Sequence, residues 1–305
     1  MDLVYIHIGN KPVPLYFWDS IKQSRRFYNG NIYVILQEKE LKELFSVKSL
    51  KYNLIGIKAE ELDSESNQEF SRLYSFMNNR DMLGDFWFVT AQRFFLLETF
   101  IKKYNKENII HLEYDNLLYV DLNQYENIFK NYYKNSIAIG PLSDSGDSAG
   151  IIYIDNFESI KFINNKILEY LKTYIDKSNL LTEMMMLKYY ADKFPDKIKY
   201  YPVLPFDEKY SNNVEYFNSI FDPATWGQFI GGRNKPIMGG HENPGKDSIC
   251  LNHRIGQELN KETVKIIWEY DFEYRKCPFV VDINTNKKWK LNNLHIHSKE
   301  LSKYV

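Results

Sequence analysis

Cysteine is scarce: only Cys250 and Cys277 occur in 305 residues. Two thiols build neither a disulfide framework nor a zinc site. They fit two free thiols in a reducing compartment, with a single bridge between them as the alternative. Long hydrophobic runs are missing too. No stretch of ~18 apolar residues occurs, so no membrane span is expected. The opening MDLVYIHIGN lacks the basic start and apolar stretch of a signal peptide, and a soluble, cytoplasmic chain is the expectation. Nor is there an excess of charge of one sign. The 39 Lys and Arg nearly cancel the 40 Asp and Glu, leaving −1, which removes any long-range electrostatic reason to bind nucleic acid or an anionic membrane. The patterns G-x-x-x-x-G-K-[ST], G-x-G-x-x-G, H-E-x-x-H and G-x-S-x-G are all absent. Their absence argues against the commonest NTPase, dehydrogenase, zinc-protease and serine-hydrolase chemistries. Neither an internal repeat nor a low-complexity tail is present.

What is present reads as globular. Hydrophobic residues at 44% against charged residues at 26% leave enough apolar material for a sizeable core. The 24 Tyr and 20 Phe can fill that core, or stack on bases and sugar rings.

The first third alternates strands with helices. Strands are expected over Leu3–Ile8, Ile32–Leu36, Leu54–Ile57 and Asn108–Leu112. Helices are expected from about Leu15 to Tyr28, over Lys39–Phe45 and over Phe86–Tyr104, with a polar surface helix or loop at 60–83. This order implies parallel pairing in an α/β fold, an open and mostly parallel sheet flanked by helices. Further strands are expected at Ile137–Ile139, Gly150–Ile154 and Tyr200–Val203, with the turn-rich PLSDSGDSAG between the first two. Helices are expected around Ile160–Tyr174 and from Leu180 to Ala191. From Phe217 onward the pattern is irregular, and the Gly/Pro-rich GGRNKPIMGGHENPG reads as a loop covering a site. Residues 1–305 are expected to form one unit.

Glu113 and Asp115 stand at the end of the apolar strand Ile109–Leu112. Residues two apart in an extended chain point the same way. The pair therefore presents two carboxylates at the edge where open α/β sheets bind ligands. Hard oxygen ligands of this kind suit Mg²⁺ or Mn²⁺ completed by water and phosphate oxygens. The alternative is a pair of solvated turn acids.

The stretch RFFLLETFIKKYNKENIIHLEYDNLLYVDL, residues 93–122, resembles the central signature of GT-A-fold glycosyltransferases, in which an Arg-bearing helix precedes a strand and a D-x-D motif. Glu113 replaces the first Asp and keeps its charge, which leaves open whether it touches the metal or the ribose. The resemblance implies a nucleotide-binding half at 1–122 and a donor-sugar and acceptor half at 123–305. It implies a metal-dependent enzyme using Mn²⁺ or Mg²⁺ and a nucleotide-sugar donor, UDP-sugar favoured. The acceptor would be a hydroxyl of a glycan or a protein-linked group. A sugar-phosphate nucleotidyltransferase and an inactive nucleotide-sugar-binding module are the alternatives.

The same resemblance assigns further roles. Arg93 would meet the donor phosphate or sugar, or else pair with an acid such as Glu98. Ile8 and Gly9, ending the first strand, would meet the nucleobase. Ser148 and Gly150 would leave room for the donor sugar. Glu183 would contact sugar or deprotonate the acceptor, or simply favour a helix start that Thr182 caps. In FDPATWGQ, Asp222 and Gln228 would bind sugar hydroxyls, Asp222 also being a candidate base, and Trp226 would stack on a ring or pack in the core. In the C-terminal LHIHSKEL, alternation along an extended segment would put His295, His297 and Lys299 on one side. His297 is favoured as the third metal ligand with His295 as competitor, and Lys299 would meet the diphosphate. His241 in the Gly-rich loop is a lesser, acceptor-facing candidate.

Overall fold

A computed structural model describes residues 1–44, 48–76, 85–174, 182–232, 259 and 262–305. Among these, the strands are β1 (Asp2–His7), β2 (Ile32–Leu36), β3 (Leu54–Lys58), β4 (Ile109–Leu112), β5 (Asn116–Leu118), β6 (Ile137–Ser143), β7 (Gly146–Ile154), β8 (Ile198–Tyr200), β9 (Ser219–Ile220), β10 (Val264–Tyr270), β11 (Lys276–Asp282), β12 (Lys288–Leu291) and β13 (Asn293–His295). Seven of them form the main sheet in the order β3-β2-β1-β4-β7-β6-β8. β1, β2, β3 and β4 pair in parallel, as do β6 and β8; β7 alone runs against its neighbours. The mostly parallel α/β sheet expected from the sequence is therefore present.

Strand alternation loads both faces of the sheet. Val4 and Ile6 pack with the helices Glu65–Ser75, Phe86–Lys103, Phe157–Tyr174 and Glu183–Lys193, while Leu3 and Tyr5 pack under the helices Tyr16–Phe27 and Glu126–Tyr132. In the polar stretch 60–83, helix Glu65–Ser75 starts at Ser64, whose Oγ accepts the Asn67 N–H at 3.3 Å. No helix among the described residues is long and apolar enough to cross a membrane.

Three expectations are corrected. PLSDSGDSAG is mostly strand: β6 and β7 run through it as a hairpin whose pairing shifts register at Gly140 and Ser143. The strand expected at Tyr200–Val203 ends at Tyr200, and Val203 turns away to donate its N–H to Tyr210 O at 2.8 Å. The C-terminal region is not irregular throughout. β10, β11, β12 and β9 form a second, four-stranded sheet. VKIIWEY and KCPFVVD are rich in β-branched and aromatic residues, and the Asp271 carboxylate fixes the turn between them by accepting the Glu273 and Arg275 N–H groups at 2.9 Å each. This sheet closes a third apolar cluster built around Trp226, Val280, Leu294 and Ile296. Beyond Gly232, the GGRNKPIMGGHENPG stretch with His241 lies outside the described residues, as does Cys250.

Candidate active site

β4 is buried along its whole length, and the chain leaves the sheet at Glu113. The Glu113 N–H donates to Gly150 O at 2.9 Å, and Glu113 O accepts the Asn116 N–H at 3.0 Å, closing a tight turn around Tyr114 and Asp115. β5 follows at once and pairs antiparallel with β13, placing His295 opposite Asn116. Two segments some 180 residues apart in sequence are thus joined at the sheet's edge.

Buried amides lock that junction. Asn293 Nδ2 donates to Asn116 Oδ1 at 2.7 Å and to Asp222 O at 2.8 Å, and Asn116 Nδ2 donates to Gly150 O at 3.0 Å. Asn293 Oδ1 accepts the Asp222 N–H at 3.0 Å. The Asp222 carboxylate accepts four backbone N–H groups, from Ala224 at 2.9 Å and from Trp226, Gly227 and His295 at 2.8 Å each. It therefore fastens helix Thr225–Gly231 to β13.

Ligand atoms of Glu113, Asp115 and His295 lie within 4.8 Å of one another. His295 Nε2 is 3.1 Å from Asp115 Oδ2 and 3.4 Å from Glu113 Oε2. The Lys299 ammonium is paired with Asp115 Oδ2. The Arg93 guanidinium is paired with Glu113 and lies 3.5 Å from Glu183 Oε1, while Thr90 Oγ1 donates to Glu183 Oε2 at 2.9 Å. Two carboxylates and an imidazole so close together form a possible donor set for a metal ion.

The electrostatics follow from this crowding. Burial acts to raise the Asp115 pKa, but His295 and Lys299 outweigh it and hold the carboxyl well below its usual range. Burial acts to lower the His295 pKa, and the carboxylates of Asp115 and Glu113 reverse the shift and raise it. Glu183 is raised, by burial first and with Glu113 adding to it, against the pull of Arg93.

The remaining sequence-derived residues fall into place as follows. The chain is extended only as far as His295; Ile296–Lys299 is a turn, closed by the Lys299 N–H donating to Ile296 O at 3.0 Å, with Lys299 at φ 63. Lys299 reaches Asp115 through this turn and not through strand alternation. The same turn leaves His297 outside the group of three ligand atoms, its ring centre 5.5 Å from that of His295. The space beside Gly150 is filled by the His295 ring rather than left for a hexose, and Ser148 Oγ accepts the Gly150 N–H at 3.1 Å.

Trp226 is fully buried, its indole N–H donating to Val203 O at 3.0 Å, so it is packed and offers no ring to a sugar. Gln228 is buried in helix Thr225–Gly231. The Asp222 carboxylate, filled by four N–H groups, is no base for an acceptor. Glu98 is not the partner of Arg93; it accepts from Asn164 Nδ2 at 2.6 Å. Thr182 caps helix Glu183–Lys193, its side chain accepting the Met185 N–H at 3.2 Å.

Sequence reasoning missed Asn116 and Asn293, which clamp the two segments, and Thr90, which holds Glu183. It also missed the aromatic group around Tyr114, with the ring centres of Tyr16 and Phe17 at 5.9 and 5.8 Å from its own. The asparagines sit beside the acidic pair and near His295 in sequence, and that adjacency is the available signal.

A cavity of ≈ 550 Å³ opens where β1, β2 and β3 end. Ile8, Gly9, Asn10, Gln37 and Ala59 line it from the strand ends, and Val89 and Gln92 from helix Phe86–Lys103. Gly9 has φ 103, a backbone conformation that favours glycine, and a Cβ there would press on Val89 Cγ1 at 3.1 Å. None of the described lining residues is Lys, Arg or His; Glu60, Asp63 and Asp85 are acidic. The lining suits an uncharged polar group with an apolar face.

No family model matches the chain, and no curated protein does. Solved structures do resemble it. Mouse xyloside xylosyltransferase 1 is 13% identical over 66% of this chain and 85% of its own, at a TM-score of 0.47. The galactosyltransferase LgtC, solved with donor and acceptor sugar analogues, is 13% identical over 66% of this chain and 73% of its own, at 0.42. A cytidylyltransferase from Leptospira borgpetersenii is 15% identical over 71% of this chain and 83% of its own, at 0.35. At these identities and scores function rests on the site's own residues.

Proposed function

We propose that this chain is a metal-dependent glycosyltransferase of the GT-A type, moving a sugar from a nucleoside-diphosphate donor, UDP-sugar favoured, to a hydroxyl acceptor. The observation that carries the reading is the meeting of Glu113, Asp115 and His295 at the edge of the sheet, with Lys299 beside them. Mn²⁺ or Mg²⁺, held by these three residues, would supply Lewis-acid stabilisation of the departing diphosphate.

The chain's own residues divide the remaining work. The cavity at the ends of β1–β3 takes the nucleoside, its amides and carboxylates meeting neutral polar edges and Ile8 and Val89 an apolar face. Lys299, the ammonium paired with Asp115, meets the diphosphate as a point charge. Arg93 is enclosed by Glu113 and Glu183 and orients Glu113 rather than reaching the donor. Glu183 is the far anchor of that pair. Asn293 and Asp222 hold β13 so that His295 faces the acids.

The test is incubation with Mn²⁺ and a panel of nucleotide sugars, with and without a chelator, followed by detection of the released nucleotide. Metal-dependent release of a nucleoside diphosphate supports the proposal. Formation of pyrophosphate from a sugar phosphate and a nucleoside triphosphate would assign a nucleotidyltransferase instead. Metal-dependent nucleotide binding with no turnover across a panel of acceptors would assign an inactive module.

A further inference from the structure

We infer that Lys299 is the resident counter-ion of Asp115, that it excludes a divalent cation from the site until a nucleoside diphosphate arrives, and that metal and nucleotide therefore enter as a coupled pair. The inference rests on the proposed function for the identity of the ligands, and on the geometry of this chain for the competition.

The Lys299 ammonium and His295 Nε2 converge on the same oxygen, Asp115 Oδ2. An ion bound by Asp115 and His295 needs the space and the lone pairs that Lys299 now occupies. Asp115 is buried, and a buried carboxylate left without a positive partner is costly. The ammonium supplies that partner when no ion is present. Glu113 is provided for separately by Arg93, so the two acids are neutralised by two different cations, one of them fixed and one movable.

The difference in mobility is structural. Arg93 projects from the middle of helix Phe86–Lys103, and its side chain is only 7% exposed. Lys299 sits in the turn after β13, with its side chain 19% exposed and its backbone at φ 63. A long flexible stem on a turn can swing its charge away, whereas a planar guanidinium packed between two carboxylates cannot. When a diphosphate is bound, its oxygens give Lys299 a second anionic partner, and the Asp115 oxygen is freed for the ion. Binding of either ligand then favours the other, because the apparent affinity of each carries the fraction of molecules in which Lys299 has let go.

The experiment measures Mn²⁺ binding by electron paramagnetic resonance and by calorimetry, to the full chain and to Lys299→Met and Lys299→Arg, each with and without UDP and GDP. The expected result is that Lys299→Met binds Mn²⁺ alone more tightly than the unaltered chain, by about tenfold or more, and loses most of the enhancement by nucleotide. Lys299→Arg keeps the charge and the weak binding. Equal or weaker Mn²⁺ affinity in Lys299→Met, with thermal melting showing it folded, overturns the inference. If the unaltered chain and Lys299→Met both bind Mn²⁺ and nucleotide with no coupling between them, the inference fails while the proposed donor site stands. If neither nucleoside diphosphate binds the unaltered chain at any Mn²⁺ concentration, the proposed function fails as well.

Discussion

The ring of His295 occupies the space that a side chain at residue 150 would need: a Cβ there would stand 2.6 Å from His295 Nδ1 and 3.2 Å from Asn116 Nδ2. On the other side, a Cβ on Gly227 would collide with the His295 carbonyl oxygen. His295 is thus packed against two glycines, its ring on Gly150 and its backbone carbonyl on Gly227, while β13 is fastened by Asp222. Gly150→Ala should push the ring off the carboxylates and cost about 1–3 kcal/mol through overpacking. The check is Mn²⁺ affinity beside thermal melting. A folded variant with weakened Mn²⁺ binding is expected; unchanged Mn²⁺ binding would remove His295 from the ligand set.

Asp222→Ala should act on stability before it acts on chemistry. It leaves four buried N–H groups without their acceptor, each costing about 1–3 kcal/mol when unsatisfied. Urea unfolding is expected to show a loss of several kcal/mol, and Asp222→Asn a smaller one. A stable Asp222→Ala protein that had lost only turnover would restore Asp222 as a general base.

Arg93→Met should destabilise the chain by about 3–5 kcal/mol, since it leaves the buried Glu183 without a cationic partner and the partly exposed Glu113 with only His295 beside it. Adding Glu183→Gln should recover part of that loss, because the buried charge that Arg93 no longer balances is removed. Denaturant melts of the two single variants and the double variant give the coupling. Strict additivity would mean that Arg93 and Glu183 do not act through each other.

Away from the acid cluster, Asp147 gives stability a pH dependence. Burial pushes the Asp147 carboxyl up to about 7, against the hydrogen bond from the Tyr200 hydroxyl at 2.8 Å and the charge of Lys188. The folded state therefore holds this proton more tightly than the unfolded chain. Between about pH 4 and pH 7 the unfolded chain has lost the proton and the folded one keeps it, so this group's contribution falls as pH rises, by roughly 4 kcal/mol in all. Asp147→Asn should flatten that slope. Melting temperatures from pH 4 to pH 8 test it, and an identical slope in the variant would place the titration elsewhere.

Where the sequence spoke through periodicity, it was readable. The continuous apolar runs of β1, β2 and β4 and the long amphipathic helices gave the parallel sheet, and Glu113-Tyr114-Asp115 stood out because an apolar strand placed it. The C-terminal sheet was less legible. Its outer strand β10 buries only Val264 fully, so its pattern blends half-exposed aromatics with charge and shows no clean alternation.

Which of His295 and His297 stands beside the acids is set by a local turn that alternation does not encode. Asp222 and Trp226 looked like ligand-facing residues in one dimension, because a polar or aromatic residue in a loop is the common sign of binding. Only the folded chain shows four N–H groups closing on one carboxylate and a backbone carbonyl on the other residue's indole. Arg93 has the same lesson: its helix was legible, but its partners lie 20 and 90 residues away.

The most direct measurement is a crystal of the full chain grown with Mn²⁺ and a nucleoside diphosphate, with data collected at the manganese edge. The expected result is an anomalous peak in contact with Glu113, Asp115 and His295, with Lys299 turned from Asp115 to the diphosphate. A nucleotide bound in the cavity with no manganese at those three side chains, or manganese held elsewhere, would contradict it.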